Sequence, residues 1–251
     1  MPLAIHGLSL LSVPITIKCN GQELSRASGF FLKWQDRIFL VTNWHVLSGC
    51  HPITGESTFM HSGIPEEIEY PRFVSEDYSQ RQLDTVALTD DYGVNRWAGH
   101  PIRGAKVDVG VIEVPLNNKN GCVAPITYSF SGLKYSPTPR HDVASHLSII
   151  GFPISKRPTG FFPIWVQASV ASEMDLGYDG ERGFLVDALT SKGMSGSPVF
   201  RQESETDWTF LGVYSGGIKE GDVELPLGIV WKRETICEAI LRLAMPEHFG
   251  A

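Results

Sequence analysis

Glycine and proline constrain this chain more than any other feature: 25 glycines and 16 prolines in 251 residues leave few uninterrupted runs long enough for an ordinary helix. Between these breaks lie short stretches rich in Val, Ile, Phe, Tyr and Trp, the residue types of strands joined by turns. Strands are predicted at residues 13–18, 29–34, 38–42, 107–114, 147–150, 164–169, 184–187, 198–200, 210–214 and 227–232. Asn20-Gly21 supplies tight-turn chemistry between the first two. From about residue 233 to 245, Ile236, Ile240, Leu241, Leu243 and Ala244 recur at helical spacing until Pro246 ends the run. The pattern predicts an all-β chain closed by one C-terminal helix.

A hydrophobic content of 42%, with 20% charged residues, is enough to bury a large core. The 28 acidic residues outnumber the 21 basic ones, for a net charge of −7, and cluster at 66–69, 90–91 and 203–207 with no basic stripe. That argues against nucleic acid or an anionic membrane as partner. No apolar run approaches the ~20 residues of a spanning helix. Residues 3–17 lack a basic leader region, carry His6 and Pro14, and show no small-residue cleavage site, so a cytoplasmic protein is expected. Cys19, Cys50, Cys122 and Cys237 stand far apart, without C-x-x-C or zinc-finger spacing; free, mostly buried thiols are expected, with no metal and no disulfide.

Asn117, Asn118, Asn120 and the run Ser-Pro-Thr-Pro at 136–139 interrupt the strand-like text. They suggest a lobe at 1–118, a linker at 119–146 and a second lobe at 147–251. There is no repeat of fixed period.

The segment 191–200, Ser-Lys-Gly-Met-Ser-Gly-Ser-Pro-Val-Phe, carries the most chemistry. Gly193 and Gly196 permit a sharp turn that can aim the amides of Gly193 and Ser195 at one point, beside the Ser195 hydroxyl. A nucleophilic serine also needs a base and a group that orients the base. His45 follows the apolar run 38–42 within Thr-Asn-Trp-His-Val, whereas the other seven histidines fall in polar or Pro/Gly-rich text. Asp108 heads the apolar segment Asp-Val-Gly-Val-Ile-Glu-Val, where a carboxylate must be buried and partnered. Its rival Asp84 lies among Asp77, Asp90 and Asp91, in what reads as a solvated hairpin. Trp97, Trp165, Trp208 and Trp231 read as core.

His45, Asp108 and Ser195, in this order and in these segments, resemble the chymotrypsin-fold serine peptidases, most of all the bacterial branch of trypsin-like peptidase domains and glutamyl endopeptidases. The resemblance spans residues 12–231 and implies two six-stranded antiparallel β-barrels. It implies a serine endopeptidase acting on protein or peptide through an acyl-enzyme, without cofactor. It also implies an oxyanion hole from the Gly193 and Ser195 amides, and a primary pocket floored near Leu189 and Thr190, walled by Tyr214, Ser215 and Gly216, and backed near Gly228. Leu189 offers no carboxylate for Lys or Arg, Tyr214 stands where glutamyl endopeptidases carry histidine, and the glycines leave room, so an apolar or aromatic P1 residue is expected. Met194 replaces the aspartate that pairs with a freed N-terminus in digestive members, and no Arg-Ile-Val-Gly-Gly follows an activation site. A domain folded active as translated, or one regulated by a protein partner, is expected instead.

Chain order disfavours the α/β-hydrolases, which place serine first in G-x-S-x-G; here Ser197 takes the last position. An S-x-x-K match at 131–134 lacks its companion motifs. Two other functions use the same residues: a dormant peptide-binding module, in which the oxyanion turn is collapsed, and a small-ester hydrolase.

Overall fold

The turn at Asn20-Gly21 starts the fold. Both residues take positive φ, 50° and 71°, the geometry of a two-residue hairpin whose twist matches its strands. It pairs β1 (Ser12–Cys19) with β2 (Gln22–Trp34). The computed structural model describes residues 5–59, 63–115, 128–129, 143–154, 162–188, 190–221 and 223–249.

A one-turn helix, α1 (Gly7–Leu11), precedes β1. After β2 come β3 (Arg37–Thr42), the short helix α2 (Trp44–Ser48), β4 (Glu67–Phe73), β5 (Arg81–Ala87), β6 (Trp97–Ala98) and β7 (Gly110–Val114). These strands form one antiparallel sheet in the order β5-β4-β1-β2-β3-β7-β6, to which β8 (Tyr128–Ser129) adds in parallel on β2. The second sheet runs β10-β9-β12-β13-β14-β11. Its members are β9 (His146–Gly151), β10 (Ile164–Ser169), β11 (Gly183–Val186), β12 (Pro198–Gln202), β13 (Trp208–Glu220) and β14 (Val223–Lys232). Two curled antiparallel sheets and a closing helix, α3 (Arg233–Ala244), make a chymotrypsin-like architecture. The second sheet has the six strands expected; the first has a seven-strand path because β6 extends it, with β8 off that path on β2.

Each sheet encloses its own core. Ile15, Phe31, Leu40 and Ile68 fill the first, and Ile149, Phe184, Leu211 and Tyr214 the second. A third cluster lies between them, where Phe30, Phe39 and Val111 meet Ile150, Phe200 and Phe210, and where α3 inserts Ile236 and Ile240. The C-terminal helix is therefore a wedge in the seam. His100 Nε2 lies 2.6 Å from the Glu238 carboxylate on α3, which Arg182 also reaches from the second lobe.

Sequence periodicity did not reveal α1 and α2. Five residues is too short a window for a 3.6-residue period to emerge. The strand expected at 107–114 begins at Gly110, leaving Asp108 just ahead of it. Cys19, Cys50 and Cys237 are free and half-buried, where buried thiols were expected; Cys122 and most of the 119–146 segment lie outside the described residues.

Ile240 is fully buried in the seam. Ile240→Ala should lower the unfolding free energy in urea by about 2–5 kcal/mol. Ile102→Ala, at an exposed position, should change it by no more than about 0.5 kcal/mol.

Candidate active site

Strand pairing brings the first two residues together. β3 and β7 are in register at Thr42 and Gly110, so the chain just after β3 lies beside the chain just before β7. Asn43 occupies the N-cap position of α2, yet its side chain makes no capping bond; its Nδ2 donates to the Asp108 carbonyl at 2.7 Å. One residue into α2, the His45 amide donates to Asp108 Oδ1 (2.8 Å) and the ring Nδ1 meets Oδ2 at 2.7 Å. The Ser215 hydroxyl, from β13 of the second lobe, donates to the same Oδ2. Asp108 is buried, and both its oxygens are satisfied.

These contacts set the charges. Burial alone would push the Asp108 carboxyl up, but the His45 ring and the hydrogen bonds from His45 and Ser215 hold it below the ordinary carboxylate value. Burial likewise works against a charged His45, but the charge of Asp108 and their hydrogen bond prevail and keep the imidazole above its ordinary 6.5. With Nδ1 committed to Asp108, Nε2 is the nitrogen left for proton exchange. Asp84, the rival carboxylate, is held by Arg72 at 2.7 Å on the β4–β5 hairpin, apart from this cluster.

Ser195 sits in a turn whose polar backbone groups can be followed one by one. Ser191 O accepts from Met194 N, Lys192 O from Ile154 N, Met194 O from Ser197 N, and Ser195 O from Ser28 N. Gly193 O accepts from the Ser28 hydroxyl at 2.7 Å. The Gly196 amide goes to Tyr214 O. Among the described residues, the amides of Gly193 and Ser195 donate to no protein acceptor. Gly193 (φ 96°) and Gly196 (φ 87°) both need left-handed backbone, and a Cβ on either would overlap main chain, Phe152 O or Ser28 O respectively. Met194 is buried in the second core among Val199 and Leu211, so apolar packing anchors the turn where digestive members use an aspartate.

The Ser195 hydroxyl donates to Ser215 O at 2.9 Å, not to the His45 ring. A hydrogen bond between Ser195 and His45 therefore requires the serine side chain to rotate.

Of the expected pocket residues, Gly216 lies beside Ser195, its Cβ position 3.8 Å from Oγ. Ser215 turns its hydroxyl to Asp108 and its carbonyl to Ser195, contacts its place in the pocket wall did not suggest. The room expected at Gly228 is taken by the Tyr214 ring, which packs where a Cβ would stand, and the Tyr214 hydroxyl is paired with Thr190 Oγ1 at 2.6 Å. Leu189 lies outside the described residues. Among the described residues, no group of three or more His, Cys, Asp or Glu side chains could hold a metal ion, and no helix is long and apolar enough to cross a membrane.

Residues 27–213 match the family model for the trypsin-like peptidase domain, three quarters of the chain. The chain belongs to the trypsin-like peptidase domain family. None of the curated proteins is a significant match. Solved structures share the fold of this trypsin-like peptidase at low identity. The protease Anisep from Arthrobacter nicotinovorans is 11% identical (TM-score 0.59), with 93% of this chain and 95% of that chain covered. The active form of the Rv3671c protease from M. tuberculosis is 16% identical (TM-score 0.52; 94% and 82% covered). The serine endoprotease from Yersinia pestis is 13% identical (TM-score 0.54), covered over 94% of this chain and 63% of that one. By family this is a serine endopeptidase, a class whose substrates are proteins or peptides.

Because Asp108 opposes the effect of burial, its removal should reverse the His45 shift. In a histidine NMR titration the wild-type ring should lose its proton above pH 6.5, and in Asp108→Asn below that value, since burial disfavours the imidazolium.

Proposed function

We propose that this trypsin-like peptidase cleaves peptide bonds with Ser195 as nucleophile, His45 as general base and acid, and Asp108 as the group that orients His45 and stabilises its charged form. The observation that carries the reading is that, among the described residues, the Gly193 and Ser195 amides lack a protein acceptor, in a turn where every carbonyl from Ser191 to Ser195 is engaged. Two free donors in a rigid turn beside a serine suit the oxyanion of a tetrahedral intermediate. In this reading Ser195 leaves Ser215 O for His45 Nε2, gives up its proton there and attacks the substrate carbonyl. The Gly193 and Ser195 amides hold the oxyanion. The imidazolium then protonates the leaving amine, and a water deprotonated by His45 releases the acyl group from Ser195.

A second reading, a dormant module on the same fold, draws on the Ser195 hydroxyl being bonded to Ser215 O. The unpaired Gly193 amide favours the enzyme, because a collapsed turn would direct the Lys192 carbonyl inward, and that carbonyl is engaged with Ile154 N at 2.8 Å.

The proposal extends to cytoplasmic location and to control by a protein partner instead of zymogen cleavage. Free thiols at Cys19, Cys50 and Cys237 and the burial of Met194 support it. For specificity we propose an uncharged P1 side chain of medium size, as the Tyr214 ring takes up space beside Gly228. Cleavage confined to bonds after Lys or Arg in a peptide library would overturn that part.

The deciding experiment is labelling by a fluorophosphonate probe. Wild type should be labelled, and Ser195→Ala and His45→Ala should not; an unlabelled wild type would mean a dormant module. Ser195→Ala should keep the fold by circular dichroism while losing roughly 10⁵–10⁶ in kcat, because the three residues act as a unit.

A further inference from the structure

We propose that Ser28, on β2 of the first lobe, is a positioning residue that keeps the Gly193 amide of the second lobe aimed at the oxyanion. The inference rests on the catalytic reading above. Ser28 is fully buried, 165 positions before Gly193 in the chain, and nothing in its local sequence marks it.

Its hydroxyl works in both directions. It donates to Gly193 O at 2.7 Å and accepts from Phe152 N at 2.8 Å, so one side chain satisfies two buried main-chain groups. Its amide donates to Ser195 O at 2.8 Å, and its carbonyl accepts from Thr42 Oγ1 at 2.8 Å. Gly196 presses on that carbonyl so closely that a Cβ would overlap it.

The two peptide units flanking Gly193 are held by this arrangement. The Gly193–Met194 unit is held directly, through Gly193 O. The Lys192–Gly193 unit is held through the strap 151–154: Ser28 fixes Phe152, and Ile154 N fixes Lys192 O at 2.8 Å. In a trans peptide the N–H points opposite to the C=O, so anchoring Lys192 O on the strap turns the Gly193 amide to the other side. Without the Ser28 hydroxyl, Gly193 O is left buried without a partner and Phe152 N loses its acceptor. The glycine, already at positive φ, is then free to rotate its amide away.

Ser28→Ala, Ser28→Cys and wild type should be compared by hydrolysis of p-nitrophenyl acetate, by the rate of fluorophosphonate labelling, and by Tm. Loss of an oxyanion donor costs about 10²–10³ in kcat, and loss of its support should cost about 10- to 100-fold, with KM nearly unchanged. The labelling rate should fall by a similar factor and still depend on Ser195. Cysteine, close in size but a weak donor and acceptor, should reproduce the deficit with less disturbance of packing, which keeps the test decisive if the alanine variant does not fold. A lower Tm with kcat retained would overturn the inference and make Ser28 a structural link between lobes, as would a loss confined to KM. If wild type is not labelled at all, the catalytic reading fails and this inference with it; if wild type is labelled and Ser28→Ala matches it, this inference alone fails.

Discussion

A carboxylate enclosed by protein must have its charge met, and the satisfaction of Asp108 organises the rest of this structure. Three donors converge on it: the His45 amide, the His45 ring and the Ser215 hydroxyl. Two come from the first lobe and one from the second, so the buried charge spans the seam. Removing one partner of a buried charge pair typically costs about 3–5 kcal/mol, which makes the relative placement of the lobes a condition for keeping Asp108 ionised. The same contacts fix the His45 tautomer and raise its affinity for a proton.

The second organising constraint is that a turn carrying several peptide groups between two lobes cannot leave many of them without partners, since each buried orphan costs about 1–3 kcal/mol. Carbonyls from Ser191 to Ser195 are all engaged, and the buried Met194 side chain holds the turn from below. Among the described residues, the N–H groups left without a protein acceptor include those of Gly193 and Ser195, beside the serine hydroxyl. In the proposed reading, apolar burial of Met194 and the contacts of Ser28 take the place of a salt bridge to a new N-terminus in anchoring the turn.

Much of this was legible in the chain. Glycine and proline spacing marked most strands; Asn20-Gly21 marked a turn, and the apolar spacing of Ile236 and Ile240 marked α3. The glycines around Ser195 and the apolar surroundings of Asp108 pointed to residues that the fold brings into one site or beside it. The pocket was less legible: the glycine at 228 suggested space, but the ring of Tyr214, which pairs with Val230 two residues further along β14, fills it.

Side-chain types and local periodicity are properties of neighbours in sequence, so the chain by itself marked most of its strands but not β4, β5, β6 or β8, and marked its last helix, the turn at Asn20-Gly21 and the presence of a serine, a histidine and a carboxylate suited to acyl transfer. Tertiary structure alone decided which groups meet over long separations. It turned the Asn43 side chain from a helix cap to the Asp108 carbonyl, gave the Ser215 hydroxyl to Asp108, aimed the Ser195 hydroxyl at Ser215, and set Ser28 against the turn at 193–196. The physical reason is that hydrogen bonds in a buried seam are chosen by whichever donors and acceptors the packing of two sheets leaves within about 3 Å of one another, and no local pattern encodes that choice.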